Sequence, residues 1–442
     1  MFRRWNEPCG QYPFTTLDEQ LANQDFAMRP LAFFLRAARR LGGFTASVVL
    51  LAIASLVLMP ATIAAAGLEV WSSVVLGQAL ALVVQTLAGC GYGINGPAVI
   101  ATQPLGEGVG YFRLAQRTRL VVGAPSFVLM ALALFTIPNP DPLAGLLGGG
   151  HLAIGSFSAL FFFVGRGAPV WLLVAETLPR VVSMVAGAIA LVAGAPLLIG
   201  LSLPVVGAAI AVAISNFTIY RSIGSSDIRL LYDTATIRRE LKKQSSAIAA
   251  ALLRGGRDAL PVLVITVVAP NLVGAFGVFD RIQRQAIGAL APVTSTLQGW
   301  VPRRIATDGN LRAPVAAALA GFVGSAIVFC GLAACGSTII RYLSAGELQP
   351  HTSEVLLFAA VIATTMLVQL VTYACLVPTA GVVGVIWSSV VGIAAIAILV
   401  PVIVLSGDAV AHALAAITLA NVVQLLAQLL VFTYFLKKSR FK

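Results

Sequence analysis

Two adjoining stretches decide how this chain is read: "SSAIAAALLRGGRDALPVLVITVVAP" at 245–270 and "VGAFGVFDRIQRQAIGALAPVTSTLQGWVP" at 273–302. Each is apolar and long enough to cross a bilayer as a helix. Each is also interrupted by three charges: Arg254, Arg257 and Asp258 in the first, Asp280, Arg281 and Arg284 in the second. Charge at mid-bilayer depth costs several kcal/mol unless it faces a polar cavity and finds partners. Arg254, Arg257 and Asp258 stand at i, i+3 and i+4, hence on one helical face, and Asp280 and Arg284 stand at i and i+4. If the segments are adjacent and antiparallel, all six charges reach about the same depth. Four arginines against two aspartates leave a positive centre, which points to an anionic ligand.

The rest of the chain supports this setting. Of 442 residues, 59% are hydrophobic and 10% charged, against about 25% charged in a soluble domain. Mean hydropathy is +0.94. Runs such as "SALFFFV" and "AAIAILVPVIVL" do not alternate as barrel strands do, so the expected fold is all-α and polytopic. Twelve spans are expected at roughly 42–66, 70–101, 118–136, 149–175, 181–199, 203–220, 246–269, 272–301, 314–336, 353–376, 380–405 and 410–436. The turn between spans 4 and 5 is placed in "ETLPR" at 176–180 rather than in "GRGAPV" at 165–170.

With twelve spans, nearly all the basic residues fall on one side. They precede span 1 and follow spans 2, 4, 6, 8 and 12; Arg341 is the exception. The positive-inside rule then makes both termini cytoplasmic. The net charge of +12 is explained by this topology and implies no nucleic acid. Residues 1–30 lack the apolar stretch of a signal peptide.

Segment 221–245 is the longest polar stretch between spans. It gives a domain plan of a cytoplasmic tail at 1–41, six helices at 42–220, a linker at 221–245, six helices at 246–436 and a basic tail at 437–442. Within the first tail, "LAFFLRAARRL" at 31–41 reads either as an interfacial amphipathic helix or as the basic flank of span 1. The halves share a weak repeat, "NGPAVIA" at 95–101 against "WVPRRIA" at 300–306. Duplicated halves with a site between them are the usual plan of secondary transporters.

For the six charges, the bland reading is mutual neutralisation, Asp258 with Arg281 or Arg284 and Asp280 with Arg254 or Arg257. That leaves two arginines over. Arginine suits a buried anion site because its planar fork grips phosphate bidentately and stays charged. Arg166 becomes a further cavity cation if span 4 runs past it, and an interfacial anchor if the span ends there. Gln78, Gln85, Tyr92 and Asn95 punctuate span 2 near one stripe, either bonding across helices or lining a wet lumen; Gln78 and Asn95 are carried forward as site candidates. Four of the five cysteines lie in apolar segments and read as packing residues. There is no metal-ligand spacing, phosphate-binding glycine loop or nucleophile–base pair, so neither an enzyme nor a bound cofactor is expected. Nothing in the pattern chooses between proton and sodium as a coupling ion.

Three segments together resemble a known family. "GLEVWSSVVLGQALALVVQTLAGCGYGINGPAVIA" at 67–101, "APVWLLVAE" at 168–176 and the stretch at 273–302 are similar to bacterial polysaccharide flippases of the O-antigen (Wzx) type. Those belong to the multidrug/oligosaccharidyl-lipid/polysaccharide (MOP) exporter superfamily. Ala98 stands where that family often has a basic residue. The resemblance implies two six-helix bundles arranged as a V, alternating access, and transfer of an undecaprenyl-diphosphate-linked oligosaccharide to the outer leaflet of the bacterial cytoplasmic membrane. The diphosphate would meet Arg254, Arg257, Arg281 and Arg284. Membrane lipids, and the glycan polymerase and glycosyltransferases of the same pathway, are the expected partners. A drug or metabolite exporter of the same superfamily is the first alternative. A membrane-embedded glycan polymerase or ligase is the second, disfavoured by uniformly short outer loops.

Overall fold

The computed structural model describes residues 30–222, 234–289, 301, 312–407 and 409–440. Helix accounts for nearly all of them. In chain order the N-terminal half contains α1 Pro30–Gly89, α2 Tyr92–Thr102, α3 Leu105–Thr136, α4 Pro142–Ile154, α5 Leu160–Arg166, α6 Leu178–Val192 and α7 Leu197–Arg221. A linker helix, α8 Thr234–Lys243, leads to the C-terminal half. That half contains α9 Ser245–Val268, α10 Val273–Ala289, α11 Arg312–Leu343, α12 Thr352–Val371, α13 Val377–Val404 and α14 Val410–Arg440.

Among the described residues, nine segments are long and apolar enough to cross a membrane. The longest, Gly42–Thr102, counts twice, because the chain reverses at Gly67, where φ is 74°. Ser55 and Gln78, and Thr62 and Trp71, line the same small space on either side of that turn, as two antiparallel limbs require. The charged helices α9 and α10 fall where spans 7 and 8 are expected but are not among these nine. Each expected span thus overlaps a helix among the described residues, although several boundaries move and span 8 beyond Ala289 lies outside them.

Four boundaries differ for physical reasons. The turn between spans 4 and 5 lies at Gly167, in the left-handed region at φ 64°, and not in 176–180. That five-residue stretch is helical, and Glu176 and Arg180 pair at i and i+4 inside the span. Span 3 begins at Leu105, so Arg113, Arg117 and Arg119 are helical residues rather than loop residues. Span 2 breaks at Cys90 and Gly91, whose φ values are 48° and 73°, leaving α2 as a separate piece. The linker is partly helical, as α8. Residues 30–41 are the first part of α1; the side chains of the expected amphipathic helix lie outside those described. Most of the repeat segment at 300–306 also lies outside the described residues.

Helix-to-helix contact rests on small residues, as membrane interiors favour. A Cβ on Gly149 would strike the backbone of Gly77, and one on Gly77 would strike Gly145. The second limb of α1 thus lies backbone-close to α4. On its other side, Gly274 and Gly277 of α10 admit Leu68 and Val75 of the same limb.

The helices run between two ends, one carrying the basic loops and one carrying the turns at Gly67, Gly194 and Gly346. At the turn end both halves share one core: Met59, Ile63, Trp71 and Val74 cluster with Leu272, Phe276, Val355 and Phe358. At the basic end each half keeps its own, around Phe112, Phe161 and Phe162 in the first and Ala374, Cys375 and Phe432 in the second. Two of the cysteines pack as expected, Cys90 and Cys375; Cys330 and Cys335 are exposed.

Gly149→Ala should destabilise the protein by about 1–3 kcal/mol, the range for overpacking, and lower its melting temperature in detergent. Gly256→Ala is the matched control, since a Cβ there meets nothing within 4 Å. It should be neutral or stabilising by up to about 1 kcal/mol.

Candidate functional site

Five of the six charges from α9 and α10 line one cavity. Its walls include Arg254, Arg257, Asp258, Asp280 and Arg284, with Gln283, Thr365, Gln369 and Asn421, and its volume is about 280 Å³. Among the described residues, Leu82 is its one wall residue from the N-terminal half. The site is therefore built inside the C-terminal half, between α9, α10, α12, α13 and α14, and not centrally between bundles.

Helical spacing explains the placement. Arg254, Arg257, Asp258 and Pro261 follow one face of α9, and Phe276, Asp280, Arg284 and Ile287 follow one face of α10. The opposite face of α10 meets the first half through Gly274, Gly277, Arg281 and Gln285. Arg281 is one residue from Asp280, which turns it about 100° around the helix. It is 8% exposed, and its Nη1 donates to Gln78 Oε1 at 3.1 Å. Beside it, Gln285 Nε2 donates to Ser55 Oγ at 3.0 Å. Arg281 and Gln78 accordingly join the two halves instead of lining the cavity.

The internal pairing also differs from either expected pattern. Arg284 Nε donates to Asp280 Oδ2 at 2.7 Å on the same helix. Its Nη2 donates to the backbone carbonyl of Asp258 at 2.8 Å. Arg257 Nη2 donates to Asn421 Oδ1 at 2.8 Å. Asn421 Nδ2 in turn donates to Thr365 Oγ1 at 2.9 Å and Thr364 Oγ1 at 3.1 Å. Arg254 Nη1 donates to the Tyr373 hydroxyl at 3.3 Å. Among the described residues, neither Arg254 nor Arg257 has a carboxylate within ion-pair distance. Neutral acceptors hold both guanidinium groups in place without an ion pair, and Asp258 in the same wall only partly offsets their charge, an arrangement suited to an incoming anion.

Two candidates lie elsewhere. Asn95 sits on α2, beyond the break at Cys90 and Gly91, and its Nδ2 donates to Gln244 Oε1 at 3.0 Å. Gln244 also donates to the Tyr111 hydroxyl and to Glu240 Oε1, both at 3.1 Å. Arg166 closes α5 at the basic end, where Nη2 donates to the Pro104 carbonyl at 3.1 Å. Span 4 ends at Arg166, which is therefore a helix-end anchor and not a cavity cation.

A second buried polar network gathers around Glu176, the carboxylate that the sequence places near a span interior. Glu176, 3% exposed, accepts from Ser158 Oγ at 2.6 Å and from the Ala159 amide at 2.5 Å, and it pairs with Arg180 at 3.2 Å. Arg119, 4% exposed, donates to the Ser158 carbonyl at 2.8 Å and lies over the Tyr92 and Phe161 rings. The available signal was the i, i+4 spacing of Glu176 and Arg180, a helix pair rather than a turn. Among the described residues no group of three acidic, histidine or cysteine side chains is placed to hold a metal ion.

No protein-family model matches the chain, and no curated protein matches it in sequence. Solved structures do match it in fold. A multidrug resistance MATE family transporter of the MOP superfamily, in an inward-facing conformation, aligns with a TM-score of 0.53 at 14% identity, covering 88% of this chain and 94% of that one. The Vibrio cholerae MATE transporter VcmN aligns with a TM-score of 0.51 at 12% identity, covering 92% and 97%. The fold is thus that of MATE transporters, polytopic and all-α.

Two stability measurements check these contacts. Glu176→Gln removes the only carboxylate that Arg180 pairs with among the described residues, and should cost about 3–5 kcal/mol, the range for breaking a buried pair. Gln78→Leu leaves Arg281 without its side-chain acceptor and should cost about 1–3 kcal/mol, read as a lower melting temperature.

Proposed function

We propose that this chain translocates a lipid-linked oligosaccharide across a bacterial cytoplasmic membrane by alternating access, with its carrier diphosphate seated on Arg254, Arg257 and Arg284. The reading rests on one observation: a cavity in the membrane-spanning region where two of three arginines have no carboxylate partner. A diphosphate supplies the missing negative charge, and guanidinium forks match its oxygens. Asp280 fixes Arg284, and Asp258 tempers the field, so the site attracts an anion without binding it irreversibly. Relative to the sequence-based expectation, Arg281 leaves the binding set and becomes part of the joint between halves.

Volume constrains the rest. A cavity of about 280 Å³ lies at the lower edge of small-molecule sites, which run from roughly 300 to 1,000 Å³. It accommodates a diphosphate and excludes an oligosaccharide. The sugars require the space where the two halves keep separate cores at the basic end, which faces the cytoplasm in this reading, together with both termini. The shared core at the opposite end then serves as the closed gate. The glycan polymerase and glycosyltransferases of the same pathway are the proposed partners.

The same volume favours a second reading, a MOP-type exporter of a small organic anion. One experiment separates the two. A double variant, Arg254→Gln with Arg257→Gln, is expressed in a strain lacking the chain, and surface glycan is quantified. The flippase reading expects loss of nearly all lipid-linked glycan export, with membrane insertion and melting temperature retained. Full glycan display in the double variant overturns the diphosphate site, and full display in the strain lacking the chain altogether overturns the flippase reading in favour of the exporter.

A further inference from the structure

Away from the charged cavity, at the turn end, a groove of about 740 Å³ opens between the two halves. One wall comes from the first limb of α1 and from α6, through Val57, Ala64, Ile189 and Val192; the other comes from the end of α11, through Arg341 and Tyr342. The apolar wall is open: Ile189 is 64% and Val192 79% exposed. Among the described residues lining it, the groove contains one formal charge. Arg341 lies in the last turn of α11, no acidic residue lines the groove, and no carboxylate pairs with Arg341 among the described residues.

Arg341 is also the one basic residue that departs from the charge asymmetry of the loops. An arginine at this end runs against the topological bias and needs a local reason. As a plain interfacial anchor it would extend toward water over any stretch of helix. Here it heads an apolar trough of a size that takes a hydrocarbon chain, at the level of a helix end, where headgroups lie. Tyr342 beside it has the amphipathic ring typical of that layer. Positive charge above an apolar channel is complementary to an anionic headgroup above its chain.

We propose that this groove binds an anionic phospholipid, with an acyl chain along Val57, Ala64 and Val192 and the phosphate on Arg341. Because its walls belong to different halves, the site exists as a unit only while the halves meet at this end. The lipid therefore stabilises the arrangement seen here. The proposal is independent of the charged cavity and of what that cavity carries.

The test measures the melting temperature of the full chain in detergent with added phosphatidylglycerol, phosphatidylcholine or inorganic phosphate. Phosphatidylglycerol should raise the wild-type value more than phosphatidylcholine does, and phosphate alone should not reproduce the difference. Arg341→Gln should lose most of that difference, Arg341→Lys should keep it, and Ala64→Phe, which fills the trough, should lose it. An undiminished difference in Arg341→Gln or in Ala64→Phe overturns the site, as does equal stabilisation by inorganic phosphate. A photoreactive phosphatidylglycerol analogue on the wild type gives a second readout that needs no variant. Labelling of residues 341–346 supports the proposal, and labelling confined to the basic end overturns it.

Discussion

The second limb of α1 is held by backbone on both sides, and the structure depends on that constraint. On one side Gly77 meets Gly145 and Gly149 of α4; on the other Leu68 and Val75 sit against Gly274 and Gly277 of α10. Apolar side chains gain little by meeting each other instead of lipid, so close van der Waals approach and interhelical hydrogen bonds must hold such helices together. Glycine supplies the first and the Arg281–Gln78 bond the second. This limb is the beam to which both halves are fastened. Its position determines which face of α10 remains free to build the charged cavity.

That arrangement also explains how charge is tolerated. Burying a guanidinium is costly unless its donors are satisfied. The protein meets this differently at each arginine. Arg284 has a carboxylate, Arg257 a neutral amide held by two threonines, Arg254 a phenol and Arg281 an amide from the other half. Only the first is charge-neutralised. At Arg254 and Arg257 the hydrogen-bond acceptors are thus neutral groups, while Arg281 keeps its Nε buried without a partner among the described residues.

Much of this was legible in the sequence. Span number followed from apolar run length, and the six charges from their conflict with those runs. Spacing at i, i+3 and i+4 placed Arg254, Arg257 and Asp258 on one face, and all three line one cavity. The same logic, applied to neighbouring positions, would have turned Arg281 away from Asp280; a count of charges concealed it. The turn at Gly167 and the break at Cys90 were harder to see. Glycine is frequent throughout these helices, and a left-handed cysteine has no local sequence mark. Glu176 stands out in the sequence as a carboxylate near a span interior, but Arg119 does not: a basic residue near an expected helix end reads as a topological signal, whereas here its guanidinium turns inward to the Ser158 carbonyl.

The break between α1 and α2 has a mechanical consequence. Gln244 precedes the first residue of α9, which carries two of the cavity arginines, and it is bonded to Asn95 on α2 and Tyr111 on α3. The chain is thereby pinned at the very residue where one half gives way to the other. The short helix α2, set off from α1 by two left-handed residues, is thus tied to the start of α9 rather than carried along the beam.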